Sequence, residues 1–102
     1  MNCIIAAGAQ MALGAVQAVV GAGGDMDEWW FTTTDATADA LSMLNRGQLD
    51  MTVGIDVDMH AKENAETTIQ IMTGTYTGPR TFQNSVNCLT TIDASNIAQH
   101  YN

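Results

Sequence analysis

Residues Asp35 to Asp58 read D-A-T-A-D-A-L-S-M-L-N-R-G-Q-L-D-M-T-V-G-I-D-V-D, and three patterns follow one another inside them. Thr37, Ala40, Leu41 and Leu44 recur at i, i+3, i+4 and i+7, the spacing that lines one face of a short helix. Asp35 stands where an N-cap belongs, ready to accept a first-turn N–H, and Asp39 adds negative charge near the positive helix end. Asn45-Arg46-Gly47 is the stop: Arg46 suits the negative end, and Gly47 can take the left-handed conformation that ends many helices. From Asp50 the period falls to two. Met51, Val53, Ile55 and Val57 face one way and Asp50, Thr52, Gly54, Asp56 and Asp58 the other, which predicts a strand.

Working outward, Trp29 to Thr34 (W-W-F-T-T-T) has the aromatic and β-branched content of a strand, and Asp25 to Glu28 before it is an acidic turn. The tandem Trp29-Trp30 suits packing against a helix; a sugar-stacking platform is the alternative, open to only one of the two because neighbours alternate. Residues 3 to 7, C-I-I-A-A, predict a buried strand. A helix follows over Gln10 to Val20 with Met11, Ala12, Ala15, Val16 and Val19 as its apolar stripe. Gly21 to Gly24 closes that helix, whereas phosphate-cradling loops open one. Downstream, Met59 to Thr73 predicts a helix capped by Asp58, with Ala61, Ala65, Ile69 and Met72 buried, Lys62 and Glu66 paired at i, i+4, and Gly74 as its stop. Thr75 to Asn84 is a polar loop around Pro79, Ser85 to Ile92 a last strand, and Asn96 to Tyr101 a terminal helix capped by Ser95. No internal repeat, linker or domain boundary is visible. Alternation of strand and helix gives an α/β fold, a parallel sheet with flanking helices, whose ligands bind outside the carboxyl ends of the strands. Asp35 follows one such end.

The chain has 102 residues, enough for one small domain, and a net charge of −8 from 3 basic and 11 acidic residues. That balance argues against nucleic acid, which needs Lys and Arg to neutralise phosphate, and against an anionic membrane surface. No apolar run reaches the ~18 residues of a membrane span, so no membrane insertion is expected. Met1 to Ala9 lacks the basic start of an export signal, so no signal peptide is read in this chain. Cys3 and Cys88 read as buried small hydrophobes that remain thiols; a disulfide closing a long loop is the alternative.

Two motifs carry a resemblance. Asn45-Arg46-Gly47-Gln48-Leu49-Asp50-Met51-Thr52-Val53 is similar to the "helix, R/K-G-x-L-x-x-T-V" segment of type I periplasmic sugar-binding proteins of the ribose-binding kind. Met11-Ala12-Leu13-Gly14-Ala15-Val16 is similar to the same family's "M-A-L-G-A" helix start, and Leu89 to Asp93 resembles its final strand. The order and approximate spacing are the family's. The resemblance implies an incomplete lobe of the type I periplasmic-binding-protein fold: residues 1–102 as a single partial domain, the C-terminal portion of a solute-binding protein. It implies a binding protein with no covalent chemistry and no cofactor, whose ligand is a sugar or polyol. It also implies a periplasmic location for the intact relative, which would hand its ligand to an ABC permease or a chemoreceptor.

By position in the motif Asp35 matches the aspartate that accepts hydrogen bonds from ligand hydroxyls, a role suited to an ionised carboxylate facing adjacent hydroxyls. The family's Asn-Asp before the M-A-L-G-A helix is here Gly8-Ala9, and its ligand-facing Gln after T-V-x is here Ile55, so Gly8 and Ile55 mark contact positions that have lost their polar groups. Asp56 is a weaker ligand candidate, with a solvated strand end as its plainer role. His60, His100, Cys3 and Cys88 have no metal-ligand spacing, and neither histidine has the placed partners of a catalytic base. Because the family's helix at Met59 to Thr73 packs on a second lobe, the isolated chain is expected to self-associate. The other readings are the effector-binding core of a lactose-repressor-type regulator, a free-standing flavodoxin-like module, and an inactive truncated remnant. Charge and the lack of a helix-turn-helix weigh against the first.

Overall fold

The computed structural model describes residues 2–79 and 88–100. In chain order the elements are β1 (Asn2–Ile5), α1 (Ala9–Gly21), β2 (Trp29–Thr34), α2 (Ala38–Asn45), β3 (Met51–Ile55), α3 (Val57–Thr73) and β4 (Leu89–Asp93). Single 3-10 turns lie at Met26–Glu28 and Ile97–Gln99. The strands form one sheet in the order β1-β2-β3-β4. β1 runs parallel to β2, from Asn2 opposite Trp29 to Ile5 opposite Thr32, and β2 runs parallel to β3, from Thr32 opposite Met51 to Thr34 opposite Val53. The alternation thus produces the expected α/β architecture. Two compact units are distinguished, Met1–Gly54 with Thr91–Asn102, and Ile55–Thr90.

In the first unit α1 packs on α2 and β2. The core between them holds Ala12 and Val16 of α1, Phe31 of β2, Ala40, Met43 and Leu44 of α2, with Leu49 and Ile92. Fully burying a side chain such as Phe31 or Met43 is worth about 1.5–3 kcal/mol. Trp29 stacks on Phe31 at 5.8 Å between ring centroids and belongs to this packing, while its neighbour Trp30 points the other way and stays 41% exposed.

Several local expectations change. β1 is not buried: it stands at the end of the sheet order, Ile5 is 79% exposed, and only Ile4 reaches the core. Cys3 is exposed and Cys88 buried, and both are thiols, so the burial expected of the pair holds for one. α1 begins one residue early, with Ala9 in the core and Met11 out of its apolar stripe. On β3 it is Thr52 and Gly54, rather than the apolar set, that are buried. The inversion is possible because the Thr52 hydroxyl is satisfied, donating to the Asp35 carbonyl at 2.9 Å. Asp50, read as a solvent-facing strand residue, accepts the Phe31 N–H on one carboxylate oxygen at 2.7 Å and donates its own N–H to the Phe31 carbonyl at 2.9 Å.

In the second unit α3 starts at Val57, and its cap is Asp56, not Asp58: the Asp56 carboxylate accepts the Met59 N–H at 2.9 Å. Gly74, at φ 71°, stops the helix as expected. Lys62 and Glu66 pair at 3.9 Å on an exposed face. The predicted burial of Ala61, Ala65, Ile69 and Met72 fails: α3 has no buried residue, and Met72 is 81% exposed. Val57 extends the same stripe, so an apolar row runs the length of the helix.

Of the predicted last strand, residues 85–87 lie outside the described residues, as do 80–84 of the preceding loop; β4 itself runs on to Asp93. The terminal helix is only the turn Ile97–Gln99, and Ser95 does not cap it. Ser95 instead donates both its hydroxyl and its N–H to one Asp93 carboxylate oxygen, at 2.5 and 2.8 Å. Those two bonds, with a smaller contribution from Asn96, hold the Asp93 carboxyl below the ordinary aspartate value.

Candidate functional site

Asp35 follows the last residue of β2 and turns the chain toward α2 with φ 76°, the positive value that Asp tolerates better than most residues. Its peptide is pinned on both sides by β3. The Asp35 N–H donates to the Val53 carbonyl at 2.9 Å, and the Asp35 carbonyl accepts the buried Thr52 hydroxyl. Its side chain is not the cap of α2. That position belongs to Thr37, whose hydroxyl oxygen accepts the Ala40 N–H at 3.2 Å. The Asp35 carboxylate is therefore left exposed on a fixed backbone, accepting no hydrogen bond from the described residues.

The loop between β1 and α1 is tied to the same end of β2, because the Thr34 hydroxyl donates to the Ala7 carbonyl at 2.8 Å. Gly8 caps α1 without a side-chain hydrogen bond, so donors of that first turn remain open to solvent or ligand. Together these segments form a depression of about 170 Å³ lined by Gly8, Ala9, Gln10, Met11, Asp35 and Thr37. Its volume is below the ~300–1,000 Å³ of complete small-molecule pockets. It has the size of part of a site.

Asp35 and Gly8 thus line the same depression. Ile55 and Asp56 belong to the second unit. There Ile55 ends β3 with its side chain 42% exposed, and Asp56 is engaged as the cap of α3 while its N–H donates to the Cys88 carbonyl at 2.7 Å. Sequence reasoning missed Gln10, Met11 and Thr37 as site-lining residues. Thr37 carried a usable signal, since a Thr directly before A-D-A-L is a better helix start than an Asp two residues further out. Among the described residues no three His, Cys, Asp or Glu side chains converge as a metal site.

A scan against protein-family models finds no match. A rhizopine-binding protein of Rhizobium meliloti is 34% identical over 73 residues, which is 72% of this chain and 24% of that protein. A solute-binding protein of an ABC transporter from Bacillus halodurans C-125, solved with myo-inositol, matches 98% of this chain with a TM-score of 0.71 at 23% identity. A periplasmic solute-binding protein from Actinobacillus succinogenes 130z, solved with D-allose, matches 97% with a TM-score of 0.75 at 20% identity. The chain spans about a quarter of the curated relative and 33% of each of the two solved structures. By sequence over most of its length and by fold over nearly all of it, the chain is similar to the type I periplasmic sugar-binding proteins, over a stretch of about one third of their length.

Proposed function

We propose that the chain is the C-terminal portion of a solute-binding protein that holds a sugar or related polyol, without chemical turnover, through the Asp35 carboxylate. The observation that carries this reading is the state of Asp35: a backbone pinned by Val53 and Thr52, and a carboxylate with no competing partner among the described residues, set at the carboxyl end of a parallel strand. An ionised carboxylate so placed accepts from two adjacent hydroxyls at once. Myo-inositol and D-allose, named for two of the structural neighbours, are both polyhydroxylated rings, which supports this ligand class. In the intact protein the holder would work in the periplasm and pass its ligand to an ABC permease or a chemoreceptor.

The test is Asp35→Ala in a chain extended to the length of its relatives, with sugar binding followed by calorimetry. Truncating one side of a buried, charged hydrogen-bond set costs about 2–5 kcal/mol, and a loss of that size is expected. A loss below about 0.5 kcal/mol, the size of a surface substitution, would reduce Asp35 to a backbone turn.

A further inference from the structure

Two apolar surfaces lie uncovered by the described residues, one on a helix and one on the sheet. α3 is amphipathic in the reverse of the usual sense, because its half-buried side is polar. His60, Glu63, Asn64 and Thr67, at i, i+3, i+4 and i+7, make that side, whereas Val57, Ala61, Ala65, Ile69 and Met72 are all exposed. Val57 is 72%, Ile69 60% and Met72 81% exposed, and Asp58 and Thr68 interrupt the same arc.

The sheet surface is the side away from Phe31 and the core helices. Strand alternation and register place Cys3, Ile5, Trp30, Thr32, Met51 and Val53 there, and none of them is charged. Ile5 is 79% and Trp30 41% exposed, Cys3 is exposed, and Met51 and Val53 are half-buried. Thr32, which stands opposite both Ile5 and Met51, is the buried member. In α/β folds a sheet face of this kind is covered by a helix, and an apolar helix stripe by such a face. The two also suit each other in relief. Trp30 puts a large, half-exposed indole on the sheet face, and Ala61 and Ala65 leave the middle of the α3 row shallow between Val57 and the larger Ile69 and Met72.

We propose that a second copy of this chain covers both surfaces: in a closed dimer, α3 of each copy lies along the sheet face of the other. Ala61 and Ala65 then sit over the partner's Trp30. A 17-residue helix is about 25 Å long and about 10 Å across, so each contact hides a footprint of about 250 Å² on either surface. Two such contacts bury about 1,000 Å² in all, the lower bound for a specific interface. The twofold arrangement uses each surface once and leaves none to recruit a third copy. Its attraction is apolar, since each copy carries a net charge of −8 and two copies repel.

Sedimentation velocity on the 102-residue chain over micromolar concentrations reads the association. Two variants break one surface each, both on exposed side chains: Ile5→Glu on the sheet face, and Ile69→Glu with Met72→Glu on α3. The unaltered chain is expected to reach a dimer and stop there, more completely as sodium chloride screens the repulsion. Each variant alone is expected to dissociate at least about tenfold more readily, the effect of losing one large buried apolar side chain. An equimolar mixture of the two is expected to regain dimer, because the intact α3 of one meets the intact sheet face of the other. A chain that stays monomeric at all concentrations overturns the proposal, as does association that weakens with salt or grows beyond the dimer. An α3 variant that associates like the unaltered chain overturns it in favour of pairing between β1 edges. An Ile5→Glu variant that does so overturns it in favour of pairing between α3 rows, and a mixture no more associated than its components overturns the exchange itself.

Discussion

Asp35 holds a left-handed backbone that costs an ordinary L-residue about 1–2 kcal/mol, and it is Thr52 and Val53 that keep it there. Stability and binding are therefore expected to part company at this residue. Asp35→Gly relieves the strain and should be more stable than Asp35→Ala by about 1 kcal/mol, while both lose the carboxylate. Urea denaturation of the two variants checks this, and an alanine variant as stable as the glycine one would show that the turn is unstrained. The place of Asp35 at a strand end is legible in the sequence from the composition of the strand before it. Its cap role is not, because Asp35 and Thr37 are both good capping types and only the turn of the backbone decides which of them meets the first-turn N–H. The same holds for Asp50, whose alternation with Met51 says nothing of its clasp on Phe31.

At the scale of elements, composition and periodicity together place the four strands and three α-helices of the described residues, and apart from the terminal helix, which is only the turn Ile97–Gln99, errors gather at ends and faces. α3 is the clearest case: its 3.6-residue repeat correctly predicts a helix, but repeat alone carries no information on whether the apolar side has anything to lie against. Its start is testable. Asp56→Ala should cost about 1 kcal/mol of helix stability, the usual value of a lost cap, and Asp58→Ala about 0.3 kcal/mol through the helix dipole alone. Hydrogen exchange at the Met59 amide separates the two, and equal effects would return the cap to Asp58. The turn after β4 adds a pH dependence. The Asp93 carboxyl is lowered by the Ser95 hydroxyl and N–H, so the stability it lends is complete above the ordinary aspartate value of about 3.9 and is lost as pH falls through the lower folded value. In Asp93→Asn that acid-side loss should be absent, as followed by the Ser95 amide resonance.

Among the described residues, the apolar row of α3 and the outer edge of β1 are surfaces that larger relatives have more chain to deal with. A row containing Val57, Ile69 and Met72 approaches the few hundred Å² at which exposed apolar area drives association, and an open strand edge is a template for pairing. The chain alone is expected to self-associate at micromolar concentration and to bind sugar no better than millimolar. Sedimentation velocity should show oligomers that Ile69→Glu with Met72→Glu shifts toward monomer, and a monomer at all concentrations in the unaltered chain would refute the expectation. Cys3 bears on the same edge from a different direction. It is the exposed thiol of the pair, on the strand that ends the sheet and opposite the half-exposed Trp30, whereas Cys88 is buried. An alkylating dye offered to the folded chain will therefore mark β1 first, close enough to an indole to quench or shift its emission. The rate of that reaction is a clock on the edge: it slows when another strand covers β1, and it reports this in a single cuvette.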